Sequence, residues 1–509
     1  AQSAPDPKPQ VLIPLIQSGS PAIYKLKLNE TTVGTLRRKT LGKRSLNKIN
    51  KTILLVGETG TGKSTLINVL VNYVMGVEWE DDVWFEIVED EQRRQSQSQT
   101  SDVVVYQIFG FEGETLPYSL TIIDTPGYGD TRDDKSDDII SKRLLDCFSS
   151  DDGVHEINVV GLVLKATDNR LSDRLRYVFD SVVSLFGKNM EKNIVALMTH
   201  SDGGPPEDAL KALEDAKIKC SKNGENQPLH FLFNNRQSKE RTRQFKMTFK
   251  FLWDFTVDQI SQFTDFLTKT EPQKLNTTLD VMKKRIKLTA CIINLQKRIE
   301  FIELKQTQIQ AEQKLLEKYK EKMKKNEKFC DEVDEPYKVK EPIEGGHWGF
   351  LWLSYKGAIS CLVCEETCHH EGCIHSWSPN DSCCVIFDDN GNCTACTEKC
   401  RRSVHVKEEW IYVNKTRKVT VTNETMKRKY EENKAGTENQ LSLLEKMERK
   451  MEELQNEKHK WLEESFQHIV TLEGIALHVD SLFTLVHLDF LIEKMEDIKY
   501  QEKKRANWC

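Results

Sequence analysis

The chain has 509 residues, more than one ordinary hydrophobic core accommodates, so two to four cooperative units are expected. Hydrophobic residues make up 38% and charged residues 30%, which excludes a wholly disordered chain and places much of it on exposed helices. With 73 basic and 79 acidic residues the net charge is -6, too small at this length to recruit nucleic acid or anionic lipid through a global field.

Residues 1–48 carry Pro5, Pro7, Pro9 and Pro14, then Arg37, Arg38, Lys39, Lys43 and Arg44, and read as a loosely ordered arm. The start lacks the charged end and apolar run of a signal peptide. The longest apolar stretches, such as 52–56 and 159–164, are strand-sized and well short of the roughly 18 to 20 residues of a spanning helix, so no segment is expected to cross a bilayer.

From 49 to 270, β-branched runs at 52–56, 103–108, 120–124, 159–164, 194–199 and 229–233 alternate with amphipathic stretches. That alternation predicts an α/β domain with a mostly parallel sheet and flanking helices. Its first run leads into Gly57, Glu58, Thr59, Gly60, Thr61, Gly62, Lys63, Ser64 and Thr65, a full match to the phosphate-loop spacing, followed by a helical run. Glycines belong where a Cβ would collide or φ must be positive, so that backbone N–H groups can turn inward around a polyphosphate. Lys63 is then placed to reach the β and γ phosphates, Ser64 to give its hydroxyl to Mg2+, and the helix N-terminus to add its dipole. A strand ending in Asp124, followed by Thr125, Pro126 and Gly127, supplies the Mg2+-side carboxylate and an N–H at Gly127 that senses the γ phosphate. The fold class is thus an α/β P-loop NTPase.

The loop 57–64, the run Asp124 to Asp130, the run Thr199, His200, Ser201, Asp202, and Phe233-Asn234-Asn235 resemble the septin and GIMAP (AIG-type) GTPases over residues 51–235. The resemblance implies GTP and GDP as ligands with Mg2+. It places Asp202 where a carboxylate selects guanine, with Thr199 and His200 replacing the usual Asn-Lys, and Asn234 or Asn235 at the base pocket. In such GTPases a Thr closes on Mg2+ when the γ phosphate is present; Thr100 is the candidate, with Ser98 and Ser101 as competitors and a solvated polar loop as the plain reading. Tyr128 stands where a water-orienting Gln is usual, so intrinsic hydrolysis is expected to be slow and completed by another subunit or factor. Dimerisation across the nucleotide face is implied as well. ATP is the competing nucleotide.

Beyond Thr278 the apolar spacing becomes 4-3: Leu288, Ile292, Leu295, Ile299, Ile302, Ile309, Leu316 and Met323, with polar interruptions at Gln306, Gln313 and Lys320. A second seam runs through Met426, Tyr430, Asn433, Leu444, Met447, Met451, Leu454 and Trp461. The first segment is strongly basic and the second mildly acidic. Helices at 278–330 and 421–472 are therefore expected to fold back as an antiparallel coiled-coil hairpin, against the alternative that each pairs with another chain. A tail at 473–509 carries a further helical stretch near 482–495.

Between the seams, at 340–410, Cys361, Cys364, Cys368 and His369 are echoed by Cys393, Cys396, Cys400 and His405, with Cys373, His375, Cys383 and Cys384 as further donors. Paired thiolates two residues apart grip one face of a tetrahedral ion, so a structural Zn2+ tip is expected, with ligand pairing open; a disulfide-knit module is the competing reading. Trp348, Trp352 and Trp377 are either its core or a partner surface. The chain reads as a cytoplasmic GTP-binding switch or scaffold that homodimerises through its G domain and meets protein effectors through the helices or the tip. A non-hydrolysing GTP-binding interaction protein is the second reading. An ATP-driven coiled-coil ATPase is the distant third, for which no signature motif is found.

Overall fold

The computed structural model describes residues 14–33, 36–44, 48–88, 103–109, 116–125, 136–150, 152–319, 330–343, 357–370, 384–422, 443–475 and, singly or in short runs, 424–425, 428–429, 477, 489, 492–494 and 496. They divide into two units, the first holding residues up to 282 together with 475–484, the second holding 283–474 and the residues from 485 onward.

The first unit contains β1 (Leu15–Gln17), β2 (Ala22–Lys25), β3 (Asn29–Val33), β4 (Leu36–Leu41), β5 (Asn50–Val56), α1 (Lys63–Val74), β6 (Val83–Glu86), β7 (Val104–Ile108), β8 (Ser119–Asp124), α2 (Ser136–Ser149), β9 (Glu156–Ile157), β10 (Val159–Lys165), α3 (Asp173–Val183), β11 (Ile194–Thr199), α4 (Glu207–Asp215), β12 (His230–Leu232), α5 (Lys246–Lys269) and β13 (Gln273–Lys274). The main sheet has the order β12-β11-β10-β5-β8-β7-β4-β3. Its pairs are parallel except β7 with β8 and β3 with β4. The sheet is thus mostly parallel, as the alternating runs predict.

The central strands β5, β8, β10 and β11 are buried along almost their whole length, which is why they read as unbroken apolar runs rather than alternating ones. On one face, Ile53 and Leu55 of β5 share a core with Leu66 and Leu70 of α1 and with Trp253 and Phe263 of α5. Helix α1 is also pinned by two buried amides. Asn68 and Asn72 both donate to and accept from backbone groups of residues 85–88, which satisfies one edge of β6 and fixes the helix that begins at the phosphate loop.

Residues 15–41, expected to belong to a loosely ordered arm, instead form four strands. Strands β3 and β4 extend the main sheet, while β1 and β2 join β6 in a separate three-stranded sheet. In β4 only the two ends, Leu36 and Leu41, are buried, and the basic residues between them hide the strand in the sequence.

Helix α6 (Asn276–Lys318) begins within the first unit's residues and continues into the second's. The second unit adds β14 (Cys330–Pro342), β15 (Ala358–Cys361), β16 (Glu366–His369), β17 (His405–Glu408), β18 (Trp410–Thr422) and α7 (Leu443–Ile475). Ile302 and Ile309 of α6, Val333 of β14, Val421 of β18, and Met447 and Leu454 of α7 form one core. Glu303 pairs with Lys458 at 3.0 Å, and the Arg298 guanidinium lies 5.0 Å from the Trp461 ring centroid, so α6 and α7 run antiparallel along it.

Strands β14 and β18 pair antiparallel from Cys330 opposite Thr422 to Pro342 opposite Trp410, a long ribbon that the sequence reading did not contain. The expected first helix stops at Lys318 rather than 330, and position 421 of the expected second helix lies in β18. Pro336 and Pro342 disfavour continued helix, and the run of Val419, Thr420, Val421 and Thr422 favours a strand. Lys320, Met323, Met426, Tyr430, Asn433, Trp348, Trp352 and Trp377 lie outside the described residues, as does most of the tail stretch 482–495.

Candidate nucleotide site and cysteine clusters

The loop from Gly57 to Gly62 leaves β5 and enters α1, whose first residue is Lys63. At two positions the backbone requires glycine. A Cβ on Gly57 would lie 2.4 Å from the Val163 carbonyl oxygen of β10, and Gly62 has φ of 90° with Asn235 Nδ2 only 3.0 Å from where its Cβ would stand. Lys63 is buried, and its Nζ donates to the carbonyls of Gly57 at 2.5 Å and Glu58 at 3.0 Å, so the ammonium is held against the loop. Thr61 Oγ1 donates to the Glu58 carbonyl at 2.8 Å and tightens the turn. No acidic residue occupies the first turn of α1, so the positive end of the helix dipole remains available to an anion. Glycine-shaped backbone, buried ammonium and helix terminus together fit a polyphosphate.

Asp124 is the last residue of β8 and is buried opposite Leu55, two residues before Gly57. Thr125, also buried, donates its hydroxyl to the Leu55 carbonyl at 2.8 Å and locks the two strand ends together. A divalent cation bound with the phosphates would find its protein oxygens in Asp124 and Ser64. Thr100 and Gly127 lie outside the described residues.

On the opposite side of the loop, β11 ends at Thr199, whose Oγ1 donates to the Thr61 carbonyl at 2.5 Å and lies 3.0 Å from His200 Nδ1. Burial, with Lys165 and Arg236 nearby, draws the His200 imidazole below its ordinary range and keeps it neutral. Asn235 Nδ2 donates to the Gly62 carbonyl at 3.3 Å, and Asn234 Nδ2 to the Ser201 carbonyl at 2.6 Å. Thr199 and Asn235 therefore touch the phosphate loop directly. Asn234 and Asn235 each keep a buried Oδ1 that accepts no hydrogen bond. Asp202 is exposed, and its Oδ1 accepts from the Gly204 N–H at 2.9 Å in a short bend. One contact was not read from the sequence: Ser172, which caps α3 through the Leu175 N–H, also holds the Glu58 carboxylate at 3.2 and 3.3 Å. A serine just before a helix is the signal that could have found it.

In the second unit two groups of donor atoms gather, each with its atoms within 4.8 Å of one another: Cys361, Cys364, Cys396 and Cys400, and Cys368, Cys393, Cys396 and His405. All these cysteines are free thiols. Cys396 belongs to both groups, so its sulfur is the point where they meet. His405 Nδ1 lies 3.0 Å from the Arg401 carbonyl, while the buried Nε2 is turned to the thiols of Cys361, Cys393 and Cys396. His369, a sequence candidate, belongs to neither group and instead places Nδ1 3.4 Å from Cys384 Sγ. Cys373, His375 and Cys383 lie outside the described residues.

The strand–loop–helix geometry at the carboxyl end of a mostly parallel sheet makes the first unit a P-loop nucleotide-binding domain. Residues 51–252, less than half of the chain, match the AIG1 family. No curated protein matches the chain. Among solved structures, Toc33 from Arabidopsis thaliana in complex with Mg2+ and GMPPNP is 17% identical, covers 44% of this chain and 88% of that one, and superposes with a TM-score of 0.31. A structure described by the statement that dimerization is important for the GTPase activity of the chloroplast translocon components atToc33 and psToc159 is 18% identical over 44% of this chain and 86% of that one, with a TM-score of 0.30. Elongation factor SelB from Methanococcus maripaludis, with the GTP analogue GPPNHP, is 14% identical over 45% of this chain and 36% of that one, at 0.25. At those values none of them extends a residue role or a partner to this chain. Among the described residues no helix is long and apolar enough to cross a membrane.

Proposed function

We propose that the chain is a GTP-dependent switch or scaffold: a slow GTPase that dimerises through its G domain and works through a helical arm tipped by structural zinc, in the cytoplasm. The observation that carries the nucleotide reading is the loop itself, where buried Lys63, the positive-φ Gly62 and the Thr199 latch shape a polyphosphate cradle. Guanine over adenine is supported by the buried acceptors Asn234 Oδ1 and Asn235 Oδ1 beside that cradle, because guanine offers N–H donors at N1 and its exocyclic amine. Asp202 would join them as the selecting carboxylate. Ser64 and Asp124 would hold Mg2+, which supplies charge neutralisation between the β and γ phosphates.

Slow turnover rests on Tyr128 in the place of a water-orienting Gln, and dimerisation on the septin-like and GIMAP-like motifs. The arm is supported by the antiparallel packing of α6 and α7 along their heptad residues. Two measurements test the reading. Calorimetry on nucleotide-free protein is expected to show GTP binding tighter than ATP by at least tenfold. Single-turnover hydrolysis is expected to rise with protein concentration; a rate independent of concentration would remove the dimer from the mechanism, and no uptake of either nucleotide would remove the function.

A further inference from the structure

Among the described residues, seven side chains form the two donor groups of the second unit, and they are not two separate sets. Cys361, Cys364 and Cys400 belong to one, Cys368, Cys393 and His405 to the other, and Cys396 belongs to both. Two tetrahedral ions need eight ligand positions, and seven side chains fill them only if one sulfur serves twice. We infer that the module holds a dinuclear zinc cluster in which the Cys396 thiolate bridges the two ions, an inference that rests on the zinc reading above and sharpens it.

The geometry is that of a metal site rather than of disulfides or a thiol core. Tetrahedral zinc with Zn–S bonds of about 2.3 Å separates its sulfurs by about 3.8 Å. Cys364 Sγ and Cys400 Sγ stand 3.7 Å apart, far beyond a disulfide bond. The backbone is already arranged around thiolates. Cys361 Sγ accepts the Cys364 N–H at 3.4 Å, Cys393 Sγ accepts those of Ala395 and Cys396 at 3.4 Å each, and Cys396 Sγ accepts the Cys400 N–H at 3.1 Å. These bonds are the support that orients metal ligands.

His405 gives the same indication independently. It is 2% exposed, its Nδ1–H is positioned to donate to the Arg401 carbonyl, and its Nε2 faces the thiols of Cys361, Cys393 and Cys396. With Nδ1 carrying the proton, Nε2 keeps a lone pair aimed at the sulfurs, the arrangement of a histidine that ligates a cation. A single ion in the all-cysteine group would leave the gathered donors Cys368, Cys393 and His405 without a metal. A single ion in the other group would leave buried Cys361 and half-buried Cys364 and Cys400 without one. A cluster satisfies all seven.

The packing explains why two ions would be useful here. The donors lie on β15, β16, β17 and the turns between them, and these short elements share their core mainly with Ala290 and Cys291 of α6. So small an apolar core does not hold such a module without a staple.

The test is metal analysis of the full-length protein, purified without chelator and dialysed, by mass spectrometry of zinc per chain, followed by replacement with Co2+ and electron paramagnetic resonance. The expected result is two zinc ions per chain and a cobalt signal that grows up to one equivalent and is quenched by the second, because a bridging thiolate couples the two spins. Two ions with additive, uncoupled signals would overturn the shared ligand. One ion would overturn the cluster while leaving zinc in place, and none would overturn the zinc reading along with it. Cys364→Ser is expected to retain one zinc against a colorimetric zinc chelator and Cys396→Ser to lose both at the same chelator concentration; one zinc retained by Cys396→Ser would speak against the bridge.

Discussion

The Thr199 hydroxyl donates to the carbonyl oxygen of Thr61 at 2.5 Å, tying the end of β11 to the middle of the phosphate loop. The bond joins the base side of the site to its phosphate side, so it acts on any purine triphosphate. Thr199→Val keeps the shape and leaves the Thr61 carbonyl without its donor, at a cost of about 1–2 kcal/mol. Affinity for GTP and for ATP is expected to fall together by roughly 5- to 30-fold in calorimetry. A loss confined to GTP would show that Thr199 reads the base instead.

Asp202 makes the opposite prediction. Its carboxylate is exposed and engaged only with the Gly204 N–H among the hydrogen bonds described, so replacing it leaves the loop intact. Asp202→Asn substitutes an amide whose NH2 opposes the guanine donors, and GTP affinity is expected to drop by about 10- to 100-fold, as loss of a charged hydrogen-bond partner does. ATP affinity should stay where it was. Displacement of a fluorescent nucleotide by each competitor measures both, and equal losses would take Asp202 out of the base pocket.

What the sequence made legible is what is local in the chain. The phosphate loop is a contiguous strand, turn and helix, and its glycines mark their own backbone requirements. The six apolar runs lie within two residues of β5, β7, β8, β10, β11 and β12. The ribbon of β14 and β18 was invisible because its partners are 68 positions apart at their closest, Pro342 and Trp410, and β14 reads as a charged stretch with two prolines. The cysteine spacing showed which thiols are neighbours in the chain but not which share a group. The structure places Cys400 with Cys361 and Cys364, Cys393 with Cys368 and His405, and Cys396 in both groups. That assortment is set by how β15, β16 and β17 pair, which no local spacing encodes.

Arg298 and Glu366 form a buried pair, 9% and 8% exposed, that joins α6 to β16. Arg298 also donates to the Ala395 carbonyl and covers the Trp461 ring, while Glu366 accepts from the N–H and hydroxyl of Thr397. Burial alone would push the Glu366 carboxyl up, but Arg298, with Thr397 and Lys338, outweighs it and holds the group below the usual carboxylate range. Glu366→Gln leaves a buried guanidinium without its counter-charge, which costs about 3–5 kcal/mol. The unfolding transition of the second unit should move down accordingly and that of the first unit should not move. Pairing it with Arg298→Met is expected to recover part of the loss in a double-mutant cycle; strict additivity would mean the two side chains do not act as a pair.

Tyr118 offers a pH signature for the first unit. It is 5% exposed and its hydroxyl donates to the Thr264 carbonyl of α5 at 3.2 Å, and burial pushes its phenol up to about 12. An unfolded tyrosine ionises near pH 10. Below pH 10 both states keep the proton and the buried phenol stabilises the fold in full. As the pH rises from 10 toward 12 the unfolded chain gives up its proton first, so the stabilisation fades through that window by about 1.4 kcal/mol for each unit of difference. Lysines titrate in the same range, so the quantity to compare is the difference between wild type and Tyr118→Phe in denaturant midpoints at pH 9 and pH 11. The variant lacks the ionisable group and is expected to lose less stability than wild type on going to pH 11. Equal losses in the two proteins would mean that Tyr118 keeps its ordinary ionisation in the folded domain.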